Sequence, residues 1–261
     1  MTRSLALLAL LALHAAPTPA ASLDVDRALA ASRAAIGSQP GDAGLTGTDG
    51  RRTSLAAFRG KPLVVSFVYT ACSQVCPTTT RYLSKAVAEA RTVVGAGTFE
   101  VVSIGFDPPA DNPMSMRVFA RQQGVDDPRW HFVVLDAGAR ERVARDFGFS
   151  YSASAGGYEH LTQVTVLDAQ GRVHAQVNGE SFALPMLVQP LKELVLGAPP
   201  AAPGSLTWLE RARLICTIYD PLADKYRLDF RLFIELGVGI SVLGAIAAFL
   251  LRERRRARLA R

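Results

Sequence analysis

The chain has 261 residues, 49% hydrophobic and 20% charged, with 15 Pro and 21 Gly that follow no repeat. That balance suits one packed domain with accessory segments and excludes a disordered or collagen-like chain. The net charge of +6 lies at the ends: the last ten residues hold six Arg and one Glu, Arg3 adds one more positive charge, and residues 4–251 sum to zero. A nucleic-acid binder needs its cations on the folded surface, where they neutralise phosphates, so no nucleic-acid partner is expected.

Residues 1–20 read as a secretory signal: Arg3 supplies the positive start, 5–13 (LALLALLAL) is an apolar run too short to span a bilayer, and 18–20 offer small residues for cleavage. The exported part that follows, 21–197, alternates strand-like and helix-like segments. Residues 45–55 form short segments around Asp49-Gly50, a hairpin signal. Residues 61–69 (KPLVVSFVY) read as a buried strand, 77–94 as a helix opening on Pro77, and 99–106 (FEVVSIGF) as a second strand. A helix over 113–123, a strand over 131–135 and a helix over 139–147 come next. Residues 162–167 and 172–177 make a hairpin, and a last helix covers 185–196. This order predicts an α/β, thioredoxin-like fold.

Residues 198–231 are expected to be a linker, rich in Pro and Ala, and a juxtamembrane connection. Residues 232–251 (LFIELGVGISVLGAIAAFLL) have the length and apolarity of a transmembrane helix, with the single charge of Glu235 near one end. The Arg-rich tail, 252–261, would stay in the cytoplasm by the positive-inside rule, which places the domain on the extracytoplasmic or periplasmic side of a single-pass membrane protein.

The chemistry concentrates in 66–80, S-F-V-Y-T-A-C-S-Q-V-C-P-T-T-T. Cys72 and Cys76 sit between a buried strand and a helix N-terminus, where free N–H groups and the helix dipole lower thiol pKa values. Open α/β sheets place ligands in the loops after strand carboxyl ends, and two thiolates are a soft pair suited to Cu(I). A stabilising disulfide is the plainer reading in an oxidising compartment. So short a loop would add little stability by that route.

The motif F-V-Y-T-A-C-S-Q-V-C-P resembles the F-x-Y-T-x-C-x-x-x-C-P signature of the SCO/SenC family. I-G-F-D-P-P-A-D-N-P (104–113) is similar to that family's V-D-P-x-x-D-x-P stretch, and Y-E-H-L-T-Q-V-T-V-L-D-A-Q-G-R-V (158–173) resembles its His-containing loop. The matches fall in order across 45–196. The resemblance implies a thioredoxin-like domain that binds copper, Cu(I) or Cu(II), through Cys72, Cys76 and His160. It also implies a role in delivering copper to, or reducing the cysteines of, the dinuclear copper site of cytochrome c oxidase subunit II. Another copper enzyme could be the client, with other copper chaperones or thiol reductants as further partners.

Topology selects the same histidine. His131 starts a strand parallel to the Cys-bearing one and so lies at its far edge; His174 follows a hairpin turn at that edge; His160, leading into the strand over 162–167, lies beside the cysteines. Asp107 and Asp111 are expected to serve as turn and capping residues, the alternative being that Asp107, at a strand end near the Cys loop, holds a helix end or tunes a metal through its ligands. Met114 and Met116 are expected to be packing residues rather than soft copper ligands. Cys216, the third cysteine, is expected to pack near the membrane. Cys72 and Cys76 would also be the catalytic pair of a general thiol–disulfide oxidoreductase, the main alternative, although the spacing is C-x-x-x-C and no Pro precedes Thr162. A peroxidase and a redox or copper sensor are weaker readings.

Overall fold

Four short runs rich in Val, Ile, Leu and Phe form the middle of one seven-stranded sheet. The computed structural model describes residues 22–108, 110–136, 138–154, 157–197, 206–229 and 231–259; the expected signal at 1–20 and most of the Pro/Ala linker lie outside them. In chain order the elements are α1 (Val25–Ala34), β1 (Gly44–Gly47), β2 (Arg52–Ser54), a 3-10 turn (Leu55–Phe58), β3 (Leu63–Val68), α2 (Val75–Val94), β4 (Glu100–Gly105), α3 (Pro113–Gln122) and β5 (Trp130–Leu135). Then come α4 (Arg140–Asp146), β6 (Tyr151–Ser154), β7 (Gly157–His160), β8 (Gln163–Leu167), β9 (Val173–Asn178), α5 (Pro185–Gly197), α6 (Trp208–Ile215), β10 (Thr217–Asp220), β11 (Lys225–Leu228) and α7 (Arg231–Leu259).

The sheet order is β2-β1-β5-β4-β3-β8-β9. Strands β3, β4 and β5 are parallel, while β8 runs antiparallel to β3. Every residue of β3 is buried, as a central strand covered on both faces requires, and its one polar residue, Ser66, finds a partner on β4. The Ser66 and Ser103 hydroxyls are 2.8 Å apart, and the Trp130 indole N–H donates to Ser103 at 2.9 Å. This is the expected α/β, thioredoxin-like arrangement.

Three features differ from the sequence expectation. His160 leads into β8 not from a loop but from the end of β7, within a separate two-stranded hairpin of β6 and β7. Tyr151, Tyr158 and small residues carry no sustained alternation, so that hairpin gave no strand signal. Second, 206–229 is folded: α6, opened by a capping box of Thr207 and Glu210, leads into the β10–β11 hairpin. The Tyr226 N–H donates to Glu89 of α2, Lys192 of α5 to the Thr217 carbonyl, and Arg211 to the Leu196 carbonyl. Third, no helix among the described residues is long and apolar enough to cross a membrane. The span expected at 232–251 falls in α7, whose large apolar side chains between Ile234 and Leu250 are exposed; the side chains of 231–233 and 251 lie outside the described set.

Candidate metal centre

Helix α2 begins two residues before Pro77, so Cys76 falls in its first turn. The N–H groups of that turn have no partner within the helix, and no side chain of Gln74 caps them. Cys72 takes this role: its Sγ accepts the Cys76 N–H at 3.3 Å, and the Cys72 N–H donates to the Tyr69 carbonyl at 3.1 Å. The short loop after β3 therefore folds the first cysteine back onto the helix end. Both cysteines are buried and free.

The two thiols are made unequal by this contact. The hydrogen bond from the Cys76 side chain holds the Cys72 thiol down to about 4; burial opposes the shift, and the N–H groups of Cys76 and Gln74 add to it. Cys76 goes the other way, pushed well above the usual thiol range by its bond to Cys72 and by burial. Burial and a hydrogen bond to Cys72 push the Tyr69 hydroxyl up to about 12, so it stays a neutral donor.

His160 reaches the pair from β7. Its Nε2 lies 3.8 Å from Cys76 Sγ, and its Nδ1 lies 3.3 Å from the Leu161 carbonyl. A proton on Nδ1 donated to that carbonyl leaves the Nε2 lone pair facing the sulfur. Burial lowers the His160 pKa, which favours the neutral imidazole that a metal ligand must be. The ring sits among Tyr69, Phe106 and Phe149, with centroids 6.0, 6.0 and 5.7 Å away. Cys76, His160, Thr79 and Gln163 line one narrow crevice between α2 and the sheet.

No group of three or more His, Cys, Asp or Glu side chains among the described residues is already arranged as a metal cage. Cys76 touches both other donors, so the set is assembled around it but not closed. Its chemistry fits a thiophilic ion: one thiolate, one thiol that must lose its proton, and one neutral imidazole. The other two histidines are elsewhere. His131 Nε2 pairs with Glu100 at 3.1 Å and His174 Nε2 with Glu193 at 3.3 Å, as the far-edge placement required.

Two carboxylates expected to be turn residues hold this site in place. Asp111, only 3% exposed, accepts the Thr70 N–H at 2.7 Å, the Thr70 hydroxyl at 2.8 Å and the Asp107 N–H at 2.8 Å. It thereby ties the loop after β4 to the loop that carries Cys72; burial raises its pKa against those donors. Asp107 accepts the Tyr158 hydroxyl at 2.8 Å and lies 3.6 Å from Arg140, which itself donates to Tyr158 at 3.0 Å. That triad fastens the hairpin bearing His160. Gly157 opens β7 at φ +124, where a Cβ would meet the Tyr69 hydroxyl at 3.1 Å. Sequence reasoning preferred turn chemistry for the two carboxylates and missed the tyrosines, although Tyr69, Asp107, Asp111 and Tyr158 all stand inside the three stretches that carry the resemblance. Met114 is exposed and Met116 buried, and neither joins the site. Cys216 is buried at the end of α6.

Comparison with known proteins bears on the fold and the family. A curated relative, the SCO1 protein homolog of Bacillus subtilis (strain 168), is 27% identical over 89 residues, 33% of this chain and 43% of that protein. The match thus spans less than half of the relative's length. Among solved structures, yeast Sco1 with copper bound aligns with a TM-score of 0.52 at 18% identity, covering 63% of this chain and 92% of that one. BsSco, described with a disulfide switch and as a member of the Sco family of cytochrome c oxidase assembly proteins, aligns with a TM-score of 0.54 at 18% identity, covering 61% and 94%. At such identities the structures speak for the fold. The SCO1/SenC family model matches residues 40–195, most of the folded domain and more than half of the chain, and the chain belongs to that family.

Proposed function

We propose that this protein is an extracytoplasmic copper chaperone and thiol–disulfide factor that assembles the dinuclear copper centre of cytochrome c oxidase. Copper is its cargo, held by Cys72, Cys76 and His160. The observation that carries the reading is the contact set of Cys76, whose sulfur lies 3.8 Å from His160 Nε2 and whose N–H meets Cys72 Sγ at 3.3 Å. Two sulfurs and an imidazole form a three-donor set for Cu(I) and leave a further position for Cu(II). The copper-bound yeast relative and the oxidase-assembly role of the Sco family support the same direction.

Placement follows from the ends of the chain. Residues 1–20 export the domain, 232–251 within α7 anchor it, and the Arg-rich tail stays in the cytoplasm. An exposed apolar helix surface in water is unfavourable at about 25 cal/mol per Å², and a bilayer removes that cost. Reporter fusions after Asp229 and after Arg261 should give opposite compartments; the same exported signal from both would reject the anchor.

A copper titration by absorbance, beside a thiol count on the oxidised protein, tests the site. His160→Ala should weaken copper binding severely, remove any thiolate-to-Cu(II) charge-transfer band and still allow the disulfide to form. Cys72→Ala and Cys76→Ala should each abolish both. Copper binding by His160→Ala equal to that of the parent would reject the site. It would favour the second reading, a general thiol–disulfide oxidoreductase. The unequal thiols favour that reading too, since a low-pKa Cys72 beside a protonated Cys76 matches an attacking and a resolving thiol.

A further inference from the structure

Helix α6 wears its apolar face outward. Leu214 alone of its large apolar residues is buried, while Trp208, Leu209 and Ile215 are exposed, Trp208 at 80%. At 3.6 residues per turn, Trp208, Leu209, Ala212 and Ile215 share one arc of the helix, away from Leu214. The tip of the following hairpin adds Leu222, which is 98% exposed. Three of the four acidic residues of this module have partners within it: Glu210 caps Thr207, Asp220 pairs with Arg227, and Asp224 accepts the Tyr219 hydroxyl. Arg213 and Lys225 stand exposed beside the apolar residues.

We propose that 206–229 is a collar that seats on the lipid headgroup layer, with Trp208, Leu209 and Leu222 entering it. The inference rests on α7 being the anchor, and chain length supplies the argument. Leu228 ends β11 and Arg231 begins α7, so two residues of chain, three Cα–Cα steps of at most about 10 Å in all, separate the hairpin from the anchor. A bilayer extends about 5–8 Å beyond its hydrocarbon core on each side, so the module lies in or against the headgroup zone. Trp and Leu beside Lys and Arg are the residues that such a zone favours.

The collar also orients the site. It is bound to Glu89 of α2 and to Lys192 and Leu196 of α5, whereas Cys76 is at the opposite end of α2. Thirteen residues at ~1.5 Å rise put the cysteines about 20 Å beyond Glu89 along the helix axis. A collar on the lipid would hold Cys72, Cys76 and His160 on the side of the domain turned away from the membrane, open to the soluble domain of a membrane-bound client.

The test uses the full chain in vesicles of phosphatidylethanolamine and phosphatidylglycerol, with and without a brominated phosphatidylcholine. The chain has two Trp, so the emission of Trp208 is read as the difference between the native chain and Trp208→Phe. The expected result is blue-shifted emission, largely lost to the brominated lipid and little affected by aqueous iodide. Leu209→Asp combined with Leu222→Asp, both at exposed positions, should restore iodide quenching. Extraction with alkaline carbonate separates the two levels of the argument. A chain that resists extraction while Trp208 is quenched by iodide alone overturns the collar and leaves the anchor. A Trp208 shielded from both quenchers points to a second protein copy on this face and also overturns it. Release by carbonate overturns the anchor, and the collar with it.

Discussion

Asp111→Asn isolates the link between two loops that hold the candidate metal centre. In the native chain Oδ1 accepts both the N–H and the hydroxyl of Thr70, and Oδ2 accepts the Asp107 N–H, all at 2.7–2.8 Å. The amide can keep the first oxygen, but its NH2 then faces the Asp107 N–H, donor against donor. One buried donor loses its partner, which costs about 1–3 kcal/mol. With a urea slope of about 2 kcal/mol/M, a loss of ~2 kcal/mol lowers the unfolding midpoint by roughly 1 M at unchanged slope. Asp111→Ala strips the partner from both backbone donors, and about 2–6 kcal/mol is expected. The assay is equilibrium urea unfolding of a chain ending at Asp229, paired with copper titration of the folded protein. Thr70 lies two residues before Cys72, so copper affinity should fall along with stability. An Asn variant within about 0.5 kcal/mol of the parent, the scatter of ordinary surface changes, and with unchanged copper affinity, would refute the reasoning.

The Cys72 thiolate should be visible by ultraviolet absorbance in the reduced protein at pH 6, because its pKa is held down to about 4. The signal should disappear as the pH falls through that value and be missing from Cys72→Ser; a midpoint near the ordinary thiol value of 9.0 would contradict the contact with Cys76. His131→Ala and His174→Ala should leave copper binding and disulfide formation unchanged, since both rings are paired with glutamates away from the cysteines; a lost charge-transfer band in either would reject the assigned site. Leu214→Ala should cost about 2–5 kcal/mol, as for other fully buried Leu. A chain ending at Leu196 should be less stable than one ending at Asp229, and equal urea midpoints for the two would show that the α6–β10–β11 module contributes nothing to the fold.

Much of this protein is determined by local sequence. The buried runs of β3, β4, β5 and β8, the Pro at the first position of α3 and the Asp49-Gly50 turn announce themselves through periodicity and turn chemistry, and the structure places them within a few residues of expectation. The same holds for the cysteines, since a strand followed by a helix start fixes Cys72 and Cys76 at one end of the sheet. Topology alone then leaves His160 as the histidine on their side. Other features depended on contacts between segments far apart in the chain. Asp111 reads as a turn residue from its neighbours, and only burial against Thr70, forty-one positions away, makes it part of the Cys loop. Tyr158 of β7, Asp107 of the loop after β4 and Arg140 of α4 are far apart in the chain, and no local pattern marks a hydroxyl, a carboxylate and a guanidinium that will meet. Residues 206–229 look like a connection because their apolar residues face outward, against the usual amphipathic rule; their packing on α2 and α5 is set by Leu214, Thr217 and Tyr226 meeting partners that sequence spacing does not encode. Chain-local chemistry thus determined the elements and the candidate donor atoms, while the pairing of distant polar groups, which depends on where the packed layers bring them, decided how those side chains are held.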